Sequence, residues 1–214
     1  MNITKKISVE FLDYMGDDLD VVNAARVSFA REKEVIDSAD ENLIDFLARN
    51  NHWSPFAHQF LKFRVRAPIF VARQLQKHTV GLAWNEVSRR YVDHEPEFFL
   101  PEMRERAPNV KQGSSKNVVK GVETIVLDAF EKSCVVYNAL IGQGVAPEVA
   151  RAVLPQAMMT EWIWSGSLYA FIRVCQLRLD LHAQEETRQV AVQIFTYMRK
   201  VFPISVKVFL GENA

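Results

Sequence analysis

Short stretches in which hydrophobic and polar residues alternate predict several strands along the 214-residue chain. In the clearest of them, Leu61, Phe63 and Val65 alternate with polar neighbours. A period of two is typical of a strand that buries one face. Further strands are predicted over residues 6–14, 86–92 and 158–164, the last with Trp162 and Trp164 in the core. The face opposite Phe63 is largely basic and carries Lys62, Arg64 and Arg66.

Apolar residues at spacings of three and four predict helices over most of the remaining chain. Asp17 or Asp18 is expected to cap the first helix. Gln74, Lys77 and His78 would share one face of a helix that starts at Pro68. The predicted helices run to residue 29, over 40–50, 68–79, 118–141, from 147, and over 167–180 and 183–201. Polar residues 104–117 are expected to form a mobile loop, and the pattern fits an α+β or an α/β fold.

Composition narrows the class of protein without identifying its function. Hydrophobic residues make up 49% of the chain, which suits a core for about one large domain. A formal net charge of zero argues against a protein that coats DNA, because such a domain would be markedly basic. The N-terminus lacks a signal-peptide pattern, and no apolar run approaches the roughly 18 residues that span a bilayer. We expect a soluble, cytoplasmic protein that binds neither membrane nor nucleic acid.

The cysteines and histidines are too dispersed to predict a metal site. Cys134 and Cys175 lie far apart without a CxxC motif, which is typical of a reduced, intracellular protein. Cys175 falls on the apolar stripe of its helix and is expected to be a core residue, and the same is expected of Cys134. The HExxH, GxGxxG and GxxxxGK[ST] patterns are also missing. No catalytic metal, Rossmann motif or P-loop is therefore predicted.

The densest group of polar and cationic side chains lies in residues 73–91, RQLQKHTVGLAWNEVSRRY. A bend at Gly81 would bring Ser88, Arg89 and Arg90 toward the end of the preceding helix. Guanidinium groups, amides and hydroxyls pair well with a phosphate and a polar ring. Each residue alone is better explained as part of a solvated basic face, but the whole group indicates a site for a small anion. Further candidates are Arg151 and the stripe of Tyr169, Arg173 and Gln176.

Five short blocks, in order, resemble the flavin-dependent thymidylate synthase (ThyX) family. Residues 52–58, HWSPFAH, are similar to its His-x-Ser-Pro-Phe-Glu-His loop. Residues 77–90 are similar to its Arg-His-Arg and Asn-Glu-x-Ser-x-Arg motifs. Three further blocks match at residues 111–114, 151–155 and 177–184. One block is weakly specific, but five in order across residues 5–205 are a strong signal.

The chain departs from the family pattern at several positions. Lys77 and Thr79 replace both arginines of the Arg-His-Arg triplet, and Ala57 replaces a usual glutamate. Three more positions differ where the family usually has Asn, Arg, and Asn or His: Ser167, Tyr169 and Arg173. Most of these positions contact FAD in the family, whereas the nucleotide-facing positions match better.

The resemblance implies an α+β fold, a single domain over residues 1–214 with a central, mainly antiparallel sheet flanked by long helices. It implies a methyltransferase and flavoprotein that converts dUMP to dTMP by reductive methylation. Methylenetetrahydrofolate would supply the carbon, and FAD reduced by NADPH would supply the hydride. The partners would then be dUMP, a folate and a nicotinamide nucleotide. The family is homotetrameric, with sites formed between subunits.

The resemblance also assigns roles to individual residues. Arg178 would be catalytic, because a guanidinium beside the uracil would stabilise an ionised ring without an enzymic thiol. The residues implied for dUMP are Gln74, Lys77, Glu86, Ser88, Arg89, Arg90, Arg151 and Arg178. Those implied for FAD are His52, Ser54, Lys77, His78, Thr79, Glu86, Ser167, Tyr169 and Arg173.

Two other functions stay open at this point. The altered triplet is compatible with a homologue that binds dUMP or another nucleotide, has lost FAD and catalyses nothing. The basic strand face of Lys62, Arg64 and Arg66 is compatible with a nucleic-acid-binding module, although the zero net charge argues against it.

Overall fold

The computed structural model describes residues 1–108 and 113–211, and these form strands and helices in a mixed order. The strands are β1 (Asn2–Thr4), β2 (Ser8–Met15), β3 (Phe60–Pro68), β4 (Leu82–Glu86), β5 (Glu97–Phe99), β6 (Arg104–Arg106), β7 (Ser114–Val118) and β8 (Met159–Ser167). The α-helices are α1 (Asp18–Arg26), α2 (Ser38–Arg49), α3 (Ile69–Leu75), α4 (Glu123–Gly142), α5 (Pro147–Ala150), α6 (Leu168–Arg178), α7 (Glu185–Val201) and α8 (Pro203–Leu210). Short 3₁₀ helices cover Val27–Phe29, Ser54–Ala57 and Arg151–Val153.

A four-stranded sheet in the order β2-β3-β8-β4 is the largest sheet of the described chain. Two smaller pairs accompany it: β1 pairs in parallel with β5, and β6 pairs antiparallel with β7. The fold is α+β with a mainly antiparallel sheet and flanking helices, which confirms the predicted fold class.

The chain divides into two compact units, and each contains segments that are distant in sequence. Unit 1 comprises Met1–Ser8, Arg66–Leu75 and Glu86–Trp162. Unit 2 comprises Val9–Val65, Gln76–Asn85 and Ile163–Ala214. The single domain over residues 1–214 stays a prediction.

The core of unit 1 forms where α4 packs against β5. Phe98 and Phe130 stack with ring centroids 5.0 Å apart, and Leu100, Cys134 and Met158 are buried around them. The predicted core position of Cys134 is therefore confirmed. Burial of aromatic rings of this size contributes much of the stability of a small core.

The core of unit 2 lies between β3 and α6. Phe63 and Trp164 both contact the ring of Phe171, with centroids 5.0 and 5.3 Å apart. Cys175, on the same helix, is fully buried, as its place on the apolar stripe predicts. Trp162 and Trp164 are also buried, which confirms the prediction for β8.

Two neighbouring aspartates, Asp17 and Asp18, stabilise the first turns of two unit 2 helices. Asp17 caps α1 with a capping box, accepting hydrogen bonds from Leu19 and Asp20 backbone N–H groups. The buried Asp18 carboxylate accepts hydrogen bonds from the backbone N–H groups of Ile204 and Ser205 at 2.7 and 3.0 Å. Burial raises the pKa of Asp18, although these hydrogen bonds oppose the shift. The first turns of α1 and α8 are thereby held together.

Several sequence-based predictions of local structure are wrong. The helix predicted over 68–79 ends at Leu75, so Lys77 and His78 do not share a helical face with Gln74. The strand predicted over 86–92 lies earlier in the chain: β4 spans Leu82–Glu86, and a turn follows it. The ends of the loop predicted over 104–117 pair as strands β6 and β7. Residues 111 and 112 of the matching family block lie outside the described residues.

A tertiary contact explains the early end of α3. Leu75 is fully buried, and the chain beyond it turns back to join the sheet through β4. At Gly81 the backbone carbonyl accepts a hydrogen bond from Ser167 N–H at 3.2 Å. Sheet pairing therefore overrides the helical periodicity of residues 76–79. Separately, none of the helices in residues 1–108 and 113–211 is long and apolar enough to cross a membrane.

Candidate active site

Two arginines of unit 1 lie against the same glutamate. Arg90 Nε is 3.1 Å from a carboxylate oxygen of Glu148, and both side chains are about half exposed. Arg151 Nε donates to the backbone carbonyl of Glu148 at 3.2 Å. The short helix α5 creates this arrangement, because Arg151 follows Glu148 by three residues. We call Arg90, Glu148 and Arg151 the anion cluster, because both guanidinium groups contact oxygens of Glu148 and such groups also suit a phosphate.

Arg89 and Ser88 precede Arg90 but have different surroundings. The Arg89 side chain is buried, donates to the His94 carbonyl at 2.5 Å, and lies 5.7 Å from the ring centroid of Tyr137. These contacts hold the loop after β4 against α4. Ser88 is half-buried, and its hydroxyl accepts a hydrogen bond from Arg90 N–H at 3.3 Å. Phosphate binding by Arg89 stays a prediction.

The two remaining nucleotide candidates of unit 1 lie at the ends of elements. Glu86 ends β4, and its carboxylate accepts a hydrogen bond from the Thr160 hydroxyl of β8 at 2.8 Å. Gln74 is half-buried near the end of α3. Thr160 itself is buried and fixes the direction of the Glu86 side chain.

A guanidinium–imidazole pair joins two candidates of unit 2. Arg178, at the end of α6, donates from Nε to His78 Nε2 at 3.0 Å, across 100 residues of sequence. Both side chains are half-buried. Burial and the charge of Arg178 lower the pKa of His78, and burial lowers the pKa of Arg178. His78 is therefore neutral near pH 7.

Aromatic contacts surround the 3₁₀ turn at Ser54–Ala57 in unit 2. The Trp53 ring lies 6.1 Å from that of Tyr169, and the His52 ring lies 5.9 Å from that of Phe46, edge to face. Ser54 is exposed. The sequence block HWSPFAH thus presents polar groups to solvent beside Tyr169 of α6.

Three other candidates of unit 2 are exposed, and one is a helix cap. Lys77, Thr79 and Arg173 have exposed side chains, and no carboxylate within the described chain pairs with Lys77 or Arg173. Ser167 is buried, and its hydroxyl accepts a hydrogen bond from Ala170 N–H at the start of α6. Its contact with FAD stays a prediction beside this structural role.

The bend at Gly81 is packed tightly against β8. Gly81 has φ +72°, a conformation that L side chains rarely adopt. A Cβ atom on Gly166 would lie 2.2 Å from the Gly81 carbonyl oxygen. Both glycines are therefore required for the backbone contact that places β4 beside the start of α6.

The predicted site residues fall into two groups. Unit 1 contains Gln74, Glu86, Ser88, Arg89, Arg90 and Arg151, and unit 2 contains His52, Ser54, Lys77, His78, Thr79, Ser167, Tyr169, Arg173 and Arg178. Sequence reasoning missed three residues that support them: Glu148, Thr160 and Tyr137. Only Glu148 has a local signal, because it lies one helical turn before Arg151.

Two of the three cations on the basic strand face, Arg64 and Arg66, pair with acidic residues. Arg64 pairs with Glu10 at 2.9 Å, and Arg66 pairs with Glu97. Paired guanidinium groups are less available to phosphates, which argues against the nucleic-acid-binding alternative. Across residues 1–108 and 113–211, no group of three His, Cys, Asp or Glu side chains could hold a metal ion.

The structure therefore has the features of an enzyme that binds a phosphorylated substrate: an anion cluster in one unit and a guanidinium–imidazole pair in the other. The family model described as "Thymidylate synthase complementing protein" matches residues 10–204. The chain belongs to this family, the flavin-dependent thymidylate synthases.

Curated relatives agree with the family model. The flavin-dependent thymidylate synthase of Thermus thermophilus is 38% identical over 203 residues, covering 94% of this chain and 74% of the relative. That of Thermotoga neapolitana is 37% identical over 202 residues, covering 94% and 90%.

Solved structures are similar over nearly the whole chain. A UMP/dUMP methylase, PolB from Streptomyces cacaoi, bound with 5-Br dUMP, has a TM-score of 0.88 and 32% identity, covering 98% of this chain and 97% of PolB. The same enzyme bound with 5-Br UMP has a TM-score of 0.83 and 30% identity, covering 97% and 95%.

Proposed function

We propose that this chain methylates dUMP to dTMP, with methylenetetrahydrofolate as carbon donor and with FAD and NADPH as the source of the hydride. Membership of the flavin-dependent thymidylate synthase family supports the reaction. The structural observation that carries it is the anion cluster, in which Arg90 pairs with the Glu148 carboxylate and Arg151 donates to the backbone carbonyl of Glu148. A nucleotide 5′-phosphate offers the same kind of oxygen with more charge.

The phosphate would bind through Arg90, Arg151 and the Ser88 hydroxyl. Each guanidinium can donate two parallel hydrogen bonds to phosphate oxygens, which fixes orientation as well as affinity. Ser88 already lies within hydrogen-bond distance of the Arg90 backbone, so its hydroxyl is held near the same loop. Gln74 would then form hydrogen bonds with the base or the sugar.

Activation of the uracil ring needs a group other than a thiolate. Burial raises the pKa of Cys175 to about 12, so its thiol stays protonated and inaccessible. Cys134 is also buried in a hydrophobic core. Arg178 is then the candidate for electrostatic activation, because its cation would stabilise negative charge that develops on the pyrimidine. Its partial burial strengthens that interaction by limiting competition from water.

The donor set of unit 2 fits a flavin dinucleotide. Lys77 and Arg173 are exposed cations, whose charges would attract the pyrophosphate. The other unit 2 candidates for the flavin are His52, Ser54, His78, Thr79, Ser167 and Tyr169. The family resemblance also assigns Glu86 to FAD. When bound, FAD supplies the hydride. The protein orients the reacting rings and excludes water.

Anaerobic absorbance of the purified protein, followed by product analysis, tests the proposal. We expect a flavin absorption band that bleaches on addition of NADPH. Formation of dTMP should follow when dUMP and methylenetetrahydrofolate are added. A protein that binds dUMP, takes up no FAD and forms no dTMP would contradict the proposal and favour the non-catalytic homologue.

UMP is a second candidate substrate. PolB, which is similar over 98% of this chain, is described as a UMP/dUMP methylase and has been solved with 5-Br UMP. Competition between UMP and dUMP in the same assay would measure the ratio of kcat/KM values. A ratio near one would indicate that the ribose 2′-hydroxyl is accepted.

We also propose that the protein is a cytoplasmic homotetramer. Exposed apolar side chains on α4 support association: Ile125 is 69% exposed and Val135 is 62% exposed. Association would remove these side chains from water, which is favourable for apolar surface. Light scattering coupled to size exclusion would give the subunit number, and a monomer at micromolar concentration would contradict the proposal.

A further inference from the structure

The hydrogen bond between Arg178 and His78 fixes the role of one nitrogen on each side chain. A guanidinium donates through three nitrogens, and here Nε is engaged by His78 Nε2 at 3.0 Å. The bond restricts the plane of the guanidinium and, with it, the directions in which the terminal nitrogens donate. An arginine held through Nε loses less rotamer freedom when it binds a planar ring.

The same hydrogen bond determines which ring nitrogen of His78 carries the proton. Arginine only donates, so Nε2 must be the accepting nitrogen and the ring proton must be on Nδ1. Protonation of Nε2 would replace an acceptor with a donor and bring two cations together. Burial and the Arg178 charge both lower the pKa of His78, which favours the neutral ring. The other neighbouring cation, Lys77, precedes His78 and has an exposed side chain.

We propose that His78 is a positioning residue, which in its neutral Nδ1–H form holds the Arg178 guanidinium in the orientation that activates the uracil, and that protonation of His78 releases Arg178. This inference rests on the proposed function for the role of Arg178. In this arrangement Nε2 of His78 binds Arg178 and does not bind the flavin. Activity then depends on the protonation state of His78, although His78 need not touch dUMP.

The geometry can be tested without turnover. In protein carrying ¹⁵N-labelled histidine, we expect one ring with the Nδ1–H tautomer and a pKa below about 6.5. His78→Ala should remove that signal, and Arg178→Ala should shift it. A His78 ring with its proton on Nε2 at pH 7.5 would overturn the inference whatever the enzyme does.

The role can be tested with a pair of substitutions at one position. His78→Gln supplies an amide oxygen that accepts a hydrogen bond but does not titrate, whereas His78→Ala supplies nothing. We expect His78→Ala to lower kcat by up to about a hundredfold, with a smaller change in KM for dUMP. His78→Gln should recover most of the rate at pH 7.5 and should keep its activity to lower pH than the natural protein, because its amide does not titrate.

Controls separate this inference from the proposed function. His94→Gln makes the same substitution at an exposed histidine and should keep the natural pH profile. Equal kcat for His78→Ala and the natural protein, with dTMP formed by both, would overturn the inference alone. Equal loss in His78→Ala and His78→Gln, with the same pH profile, would also overturn it, because an acceptor would then not matter. If the natural protein forms no dTMP, the proposed function fails and the role of His78 fails with it, whereas the tautomer measurement still tests the geometry.

Discussion

Arg90 and Glu148 form an ion pair across 58 residues of sequence, with Nε and a carboxylate oxygen 3.1 Å apart. Arg151 donates to the carbonyl of the same glutamate. The carboxylate therefore competes with any phosphate for Arg90. An exposed pair of this kind contributes at most about 1 kcal/mol, so a dianionic phosphate can displace it.

Replacing Glu148 with Gln should strengthen phosphate binding. Removal of the competing charge is expected to lower the Kd for dUMP by up to about fivefold, the equivalent of about 1 kcal/mol. Isothermal titration at fixed ionic strength would measure it. Glu131→Gln, on the exposed face of α4, is the matched control and should leave the Kd unchanged. Weaker dUMP binding by Glu148→Gln would indicate that Glu148 holds Arg90 in place rather than competing for it.

Replacing Arg178 with Ala should impair chemistry more than binding. Loss of one preorganised cation at a developing charge typically lowers kcat by about a hundred- to a thousandfold. Rapid-quench measurement of dTMP, with dUMP affinity measured in parallel, would separate the two effects. Arg31→Ala removes an exposed arginine and should behave like the natural protein. Near-normal turnover by Arg178→Ala with dUMP bound would exclude the activation role.

Replacing Gly166 with Ala should destabilise unit 2. The added Cβ would lie 2.2 Å from the Gly81 carbonyl oxygen, so the backbone of β4 or β8 must move. We expect a loss of about 3 kcal/mol in the free energy of unfolding. Urea denaturation would measure it.

Gly142→Ala provides the opposite control. A Cβ there meets nothing within 4 Å, and Gly142 is the last residue of α4. Alanine should raise stability by about 0.5 kcal/mol, because glycine loses more backbone freedom on folding. If Gly166→Ala were as stable as Gly142→Ala, the close contact with Gly81 would be wrong.

The Asp40 carboxylate should make stability depend on acid pH. Burial raises its pKa, but hydrogen bonds from Lys33 and Arg26 outweigh burial and lower the pKa to about 2. Because the folded-state pKa is below the unfolded value of about 3.9, the stabilisation is complete above pH 4. It is lost as pH falls toward 2. Asp40→Asn should therefore flatten the acid limb of a stability–pH curve.

The matching control for Asp40 is Asp45. It forms an exposed pair with Arg49 at 2.9 Å within α2, and such pairs contribute little. At pH 7, Asp40→Asn should cost about 2 kcal/mol, because hydrogen bonds from charged donors to a buried acceptor are lost. Asp45→Asn should cost much less. Equal curves for the two variants would contradict the role of Asp40.

Local patterns in the sequence predict many of these elements correctly. Strict alternation identifies β3, the apolar stripe identifies α6, and Asp17 is the cap of α1. These signals succeed because residue spacing reports which face of an element is buried. The same reasoning placed Cys134 and Cys175 in the cores, and the ordered blocks of motif residues were enough to identify the family.

The pattern fails where a distant segment decides the outcome. The period of 3.6 continues past Leu75, but α3 ends there because residues after it join the sheet beside β8. Residues 104–117 are polar and predict a loop, yet Arg104–Arg106 and Ser114–Val118 pair as the antiparallel strands β6 and β7. Secondary structure at such positions depends on partners that a window of sequence does not contain.

For the candidate site too, the sequence and the tertiary structure determine different properties. The sequence by itself determined which side chains are available for a nucleotide and a flavin, because residue type sets charge and hydrogen-bonding capacity. Only the tertiary structure decided that Arg89 is buried against Tyr137, that Arg90 meets Glu148, and that Arg178 meets His78. Those pairings depend on where the chain returns in space, and it is the pairing that sets orientation, protonation and strength of the charge.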